Sequence, residues 1–160
     1  MIREAVIDDL EALAKLRIEL KVYHHDLDPY EYTIPTEEGS KSKIKFYLEH
    51  ADDKRISRFI CHEGNGVIDA YAKYEIFTPY VGGEKIADFD GHISIEEIMV
   101  SESSRRKGIG TELIHKLCEI AKENDCTSLY LSTHAENYGA HQFYKKLGLV
   151  PKSIRMEKRL

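Results

Sequence analysis

Between Val100 and Leu117 the sequence reads VSESSRRKGIGTELIHKL. Three consecutive cations, Arg105, Arg106 and Lys107, run into two glycines, Gly108 and Gly110, where a hydrophobic run gives way to a helical pattern. A turn between a strand and a helix start exposes backbone N–H groups that have no acceptor within the helix. Those groups, the positive end of the helix dipole and the missing glycine side chains make a cradle for a phosphate, with cationic side chains just outside it. Two familiar phosphate loops do not fit. No Lys-Ser/Thr pair follows the second glycine, as a Walker loop requires, and Leu113 stands where a dinucleotide fingerprint needs Gly or Ala. Taken alone, the pattern also fits a solvated basic turn.

Just upstream, Glu96 and Glu97 sit in the middle of the strand-like run GHISIEEIMV. Strand neighbours point to opposite faces, so one carboxylate can face a cleft and the other cannot. Unbroken alternation groups Glu97 with Ile93, Ile95 and Met99, a core-like row, and Glu96 with Ser94, Ile98 and Val100.

These residues need a scaffold. The chain has 160 residues, enough for one core and too few for two ordinary domains, so we expect a single domain over 1–160. Ile2–Val6 reads as a short strand. Asp8 with Glu11 three residues on opens a helix whose Leu10, Leu13, Leu16 and Leu20 share a face. His24 to Glu38 carries two prolines and no period, which predicts mostly loop, and a second helix covers about Ser40–His50. RISRFICHE and GVIDAYAKYEIF read as strands joined through Gly64-Asn65-Gly66, a hairpin signal. GHISIEEIMV is the next strand, and the helix after the glycine turn runs to about Asn124 with Ile109, Leu113, Leu117 and Ile120 in one stripe. TSLYLST is a strand, YGAHQFYKKLG a short helix closed by Gly148, and SIRMEKRL (Ser153–Leu160) a final strand. The order β-α-α-β-β-β-α-β-α-β predicts an α/β chain with a mixed sheet and helices on both faces.

MVSESSRRKGIGTELI resembles the acyl-CoA-binding segment of the GNAT superfamily of N-acyltransferases, whose signature is (Q/R)-x-x-G-x-(G/A); Arg105, Gly108 and Gly110 fill its fixed positions. NYGAHQFYKKLGL is similar to the family's N-x-x-A-x-x-F-Y-x-x-x-G-(F/L), through Asn137, Ala140, Phe143, Tyr144, Gly148 and Leu149. The resemblance implies a single-domain α/β (α+β) GNAT-like fold, with a mixed, mostly antiparallel sheet and splayed central strands. It implies acetyl-CoA as co-substrate, its pyrophosphate over Arg105, Arg106, Lys107, Gly108, Ile109, Gly110 and Thr111. The pantetheine would run along the backbone of Ile98, Met99 and Val100, and Asn137 would both start its helix and contact the cofactor.

The activity so implied is N-acetyl transfer to a primary amine by direct attack in a ternary complex. An ordinary amine of pKa ~10.4 is neutral in about one molecule in ~10³ at pH 7, a deficit of about 4 kcal/mol that a carboxylate can relieve. In the family that carboxylate often stands four residues before the last aliphatic of the strand, which makes Glu96 the expected base. Tyr144 is the expected acid, because a phenol of pKa ~10 can donate toward a departing thiolate while staying un-ionised itself. The alternative is a catalytically silent CoA-binding sensor or interaction module on the same fold.

The remaining features narrow the partners. Lys+Arg of 23 against Asp+Glu of 28 gives a net charge of −5, a poor match to nucleic acid. No apolar run reaches the ~20 residues of a membrane span, and the N-terminus lacks the apolar core of a signal peptide. Cys61, Cys118 and Cys126 are odd in number and lack ligand spacing, so we expect reduced thiols in a cytoplasmic protein. No metal is expected, since the adjacent His24, His25 and Asp26 make poor ligand spacing. Between Val22 and Glu38 there are five acids, three tyrosines and no Lys or Arg. In the family that this chain resembles, the segment helps form the acceptor side of the cleft, which implies a small-molecule or peptide amine acceptor that is itself cationic, such as a polyamine, an aminoglycoside-like compound or a basic peptide end; the alternative is a merely solvated acidic loop. A homodimer remains open.

Overall fold

The computed structural model describes residues 1–53 and 56–158. Its elements are β1 (Ile2–Glu4), α1 (Leu10–Leu27), α2 (Glu37–Glu49), β2 (Arg58–Gly64), β3 (Val67–Phe77), β4 (Tyr80–Val81), β5 (Glu84–Lys85), β6 (His92–Val100), α3 (Ile109–Glu123), β7 (Ser128–Leu131) and α4 (Tyr138–Lys146). Five strands form one sheet in the order β1-β2-β3-β6-β7, antiparallel except for the parallel β6–β7 pair. That pairing stops at Ile95 opposite Leu131, while β6 continues to Val100. β6 and the edge strand β7 therefore part company, and a cleft opens between them.

Each face of the sheet carries its own core. On one side Ile60, Ala72, Ile93 and Ile95 pack under the α3 stripe of Ile109, Leu113, Leu117 and Ile120, with Phe143 and Tyr144 of α4 joining from the edge. On the other, Phe59, Cys61, Tyr71 and Met99 meet Leu13, Leu16 and Leu20 of α1 and Ile44 of α2. The β2–β3 turn places Asn65 at φ 53° and Gly66 at φ 74°, the left-handed pair that a two-residue hairpin requires.

Three elements differ from the sequence expectation. The first helix does not stop near His24 but continues to Leu27. It ends where Asp28, the residue before Pro29, takes an extended conformation (φ −149°, ψ 94°). The second helix starts at Glu37, because Thr36 Oγ1 accepts the Gly39 N–H at 3.1 Å and caps it. The expected final strand does not form over 153–158, where Ile154 and Met156 stand exposed and the chain joins no ladder, and Arg159 and Leu160 lie outside the described residues. Alternation prepares a strand but supplies no pairing partner. Instead Arg155 pairs with Glu31.

Candidate active site

The glycine turn leaves the end of β6 and enters α3 through a short 3-10 turn at Glu102–Ser104. Arg106 (φ 64°) and Gly108 (φ 87°) are both left-handed, which swings successive N–H groups toward one side. Among the described residues the N–H groups from Arg106 to Thr111 have no protein acceptor, and Glu112 is the first to find one, Gly108 O at 3.0 Å. All of the residues from Arg106 to Thr111 but Lys107 line a cavity of about 690 Å³ that follows the cleft between β6 and β7. This is the donor set that a pyrophosphate needs, so the turn fits the phosphate end of CoA. Gly110 serves a different purpose. A Cβ there would stand 3.1 Å from the Phe143 ring, so this glycine lets α3 and α4 close together.

The turn is anchored on both flanks. The β2–β3 register shifts after His62, which leaves Asp69 as an unpaired bulge residue. Its freed carbonyl accepts the Ser101 N–H at 2.8 Å. Its carboxylate bonds His62 Nδ1 at 2.6 Å and the Ser104 hydroxyl; burial alone would raise its pKa, yet those bonds hold it below the usual range. On the other flank Glu19 of α1 accepts the Glu102 N–H at 3.1 Å and faces Arg105 at 3.8 Å. Arg105 Nε also donates to Val100 O at 3.2 Å, tying the turn to the strand it leaves.

A second bulge corrects the assignment of strand faces. Lys73 pairs with Glu97 and Tyr74 with Ile95, so Glu96 is the extra residue. Ile93 and Ile95 face α3, and beyond the bulge the alternation restarts in the opposite phase. Met99 accordingly joins the α1 core, while Ile98 and Val100 pack on the α3 side. Both carboxylates therefore turn toward the helices α1 and α2, and both line the cavity. Glu97 is the sequestered one. It takes Lys21 Nζ at 2.8 Å, the Tyr71 hydroxyl at 2.8 Å and Arg17 Nε at 3.4 Å. Burial pushes its pKa up, but the bond and charge of Lys21, the charge of Arg17 and the Tyr71 bond more than offset that and leave it lowered. Glu96 is more open, held by Lys73 Nζ and by the Ser57 hydroxyl at 3.2 Å. Lys73 itself is buried, with its ammonium 3.9 Å from the centre of the Tyr47 ring.

Tyr144 lines the same cavity from α4. Burial pushes its phenol up to about 12, and among the described residues nothing hydrogen-bonds its hydroxyl. Asn137 caps α4, its Oδ1 accepting the Ala140 N–H at 3.2 Å and the Tyr23 hydroxyl at 3.0 Å. The cavity wall thus gathers Glu96, Tyr144, Asn137, Ile98 to Val100, Arg105, Arg106 and Gly108 to Thr111, whereas Lys107 stands outside it.

The acetyltransferase (GNAT) family profile matches residues 19–149. The chain belongs to the GNAT family. Over 116 residues, 72% of the chain, it is 35% identical to streptothricin acetyltransferase A of Bacillus subtilis (strain 168), and spans 63% of that protein's length. It is 31% identical to the glucosamine 6-phosphate N-acetyltransferase of Trypanosoma brucei brucei over 93 residues, 58% of each chain. Among solved structures the BH1408 protein of Bacillus halodurans, crystallised as a tetramutant, superposes with a TM-score of 0.83 at 21% identity, covering 100% of this chain and 99% of that one. Aminoglycoside N-acetyltransferase AAC(6')-Iy in complex with CoA superposes with a TM-score of 0.72 at 21% identity, covering 100% of this chain and 93% of that one. Both are likenesses of fold.

Several residues of this GNAT site carry no sequence signal. Tyr23 and His24 reach the cavity because α1 runs on past its leucine stripe. Lys73 and Asp69 are brought in by sheet register, Ser57 by the segment before β2 and Glu19 by α1, all distant in sequence. Of the acids between Val22 and Glu38, none lines the cavity; Glu37 pairs with Lys41, and Asp28 caps its own turn by accepting the N–H groups of Tyr30 and Glu31. Asp28, Glu31 and His134 each bring one ligand atom within 4.8 Å of the others, a spacing that adjacent histidines on a helix do not offer. Among the described residues no helix is long and apolar enough to cross a membrane.

Proposed function

We propose that the protein is an acetyl-CoA-dependent N-acetyltransferase that passes acetyl to a primary amine by direct attack in a ternary complex. The observation that carries this is one continuous cavity whose phosphate end is a row of unused N–H groups and whose other wall bears Glu96 and Tyr144.

The N–H groups of Arg106 to Thr111 bind the pyrophosphate, Arg105 and Arg106 add charge beside it, and the exposed edge of Ile98 to Val100 orients the pantetheine. Acetyl-CoA supplies the acyl group already activated as a thioester. Glu96, directly or through one water, takes the proton that the amine nitrogen sheds as its bond to the acyl carbon forms and the C–S bond breaks. Tyr144 hydrogen-bonds the departing sulfur. Outright transfer of its proton, from about 12 to a thiol of pKa ~8.5, would be uphill by about 5 kcal/mol. Tyr144 therefore stabilises the thiolate by donation, and the sulfur collects its proton from solvent. A cysteine relay has no support: none of the three thiols lines the cavity, and burial raises Cys61 to about 11.

The two relatives are named for streptothricin and for glucosamine 6-phosphate, which fits a small-molecule amine as acceptor here. The acids between Val22 and Glu38 do not line the cavity, and Glu96 and Glu97 are already paired with Lys73, Lys21 and Arg17, so the charge of the acceptor is left to the experiment. The test is thiol release from acetyl-CoA with pooled amines, followed by mass spectrometry of the acceptor. Tight CoA binding without release from any amine would leave only a CoA-binding module.

A further inference from the structure

We propose that His24 selects the acceptor: its ring offers an Nε2–H donor to the acceptor half of the cavity and favours amines that carry a hydroxyl or carbonyl oxygen near the reacting nitrogen. This deepens the acetyltransferase reading and rests on it.

His24 sits in the last turns of α1 and lines the cavity beside Leu20 and Tyr23, with Glu97 on the facing strand. Among the described residues its Nδ1 is the buried side-chain nitrogen or oxygen that has no hydrogen-bond partner. The ring is flanked by Tyr32, with centroids 5.0 Å apart, and by Tyr23 at 5.9 Å. Nδ1 is sealed, so Nε2 is the ring nitrogen through which His24 can meet a ligand.

The sealed nitrogen also fixes where the proton sits. A neutral imidazole with its hydrogen on Nδ1 would bury an N–H with no acceptor, which proteins avoid more strictly than an unused lone pair. The hydrogen therefore belongs on Nε2. Charging the ring would put a second hydrogen on Nδ1 and create the same orphan. Burial first, then Lys21 and His134, oppose the charge; Glu97 alone favours it. His24 is thus a neutral donor. It cannot pair with an ammonium, which has only donors, but it matches a hydroxyl or carbonyl oxygen. Tyr23, the neighbouring polar side chain of α1, already donates its hydroxyl to Asn137. That leaves His24 as the donor that α1 can offer an acceptor.

The experiment compares matched amines, 2-aminoethanol against propylamine and glucosamine against cyclohexylamine, by CoA release. The enzymes are the unaltered protein, His24→Phe and His24→Gln, with CoA calorimetry to certify folding. The ratio of kcat/KM for the oxygen-bearing amine over its partner should fall about two- to tenfold in His24→Phe, the range of one neutral hydrogen bond. His24→Gln, whose amide can donate from a similar position, should recover most of it. An unchanged ratio, or a Gln variant as damaged as Phe, overturns the assignment. If the unaltered protein binds CoA yet releases none with any amine, the acetyltransferase reading falls instead. The His24 assignment is then decided by ring ¹⁵N shifts at neutral pH. An Nε2–H tautomer upholds it, and an Nδ1–H tautomer or an imidazolium overturns it.

Discussion

Replacing Glu97 by Gln should destabilise the protein and spare its chemistry, while Glu96→Gln should do the reverse. Glu97 neutralises Arg17 and Lys21 in a site where the Arg17 side chain is only 8% exposed. Removing one partner from such a buried group typically costs about 3–5 kcal/mol, because the remaining charge is left unpaired. A Gln oxygen can keep one hydrogen bond, and Lys21 is 20% exposed and can turn to water, so the low end applies, about 3 kcal/mol. With a urea slope of about 2 kcal/mol/M, the midpoint should fall by about 1.5 M. Glu96 is 33% exposed, and its Gln can still accept from Lys73 and Ser57, so its cost should stay near or below about 1 kcal/mol. Turnover should divide the other way. Glu96→Gln should lose about 10²- to 10⁴-fold at neutral pH and recover partly as rising pH deprotonates the amine unaided. Stability against pH gives an independent reading. The folded-state pKa of Glu97 is depressed, so its contribution is fully present above the unfolded value of ~4.5 and lost as pH falls through the folded one. Glu97→Gln should erase that acid-side loss. Urea melts from pH 3 to 8 with initial rates on both variants decide the matter. A Glu97→Gln protein that melts normally but is inactive, beside an active Glu96→Gln, would refute the reasoning.

Gly108→Val forces a branched side chain to φ 87°, a cost of about 1–2 kcal/mol that the turn should relieve by giving up its conformation, and calorimetry should show CoA binding weakened at least about tenfold. Tyr144→Phe keeps the ring and loses the donor, so turnover should fall while CoA affinity and the melting point hold. Because burial sets the phenol near 12, the unaltered enzyme should show no alkaline loss from this group below about pH 11. Asp69→Ala releases Ser104 and His62 beneath the turn, and steady-state kinetics should show a raised KM for acetyl-CoA with kcat and the acceptor KM little changed.

The local parts of the site were legible. Glycines at a helix start, a mid-strand pair of glutamates and a helix-start asparagine depend on neighbours within a few residues, and their environment follows from that. What depends on register was not. A single extra residue in β6 turns both glutamates to one face, and nothing in HISIEEIMV marks the bulge, because it exists only in the register against the partner strand β3. The anchor at Asp69 has the same origin in the β2–β3 shift. The extension of α1 to Leu27 was legible in principle, since Pro29 is the first breaker after Leu20, but the pair His24-His25 offers no apolar stripe to declare it. The final strand failed for the opposite reason: its alternation was visible and its pairing partner was not.

The central claim is that the backbone of Arg106 to Thr111 holds the CoA pyrophosphate, and amide ¹H–¹⁵N spectra recorded during a CoA titration test it most directly. Those N–H groups have no acceptor of their own, so each should shift downfield on binding, more strongly than any other segment, with Gly108 among the largest. Saturating shifts confined elsewhere, with the turn from Arg106 to Thr111 unmoved, would contradict it.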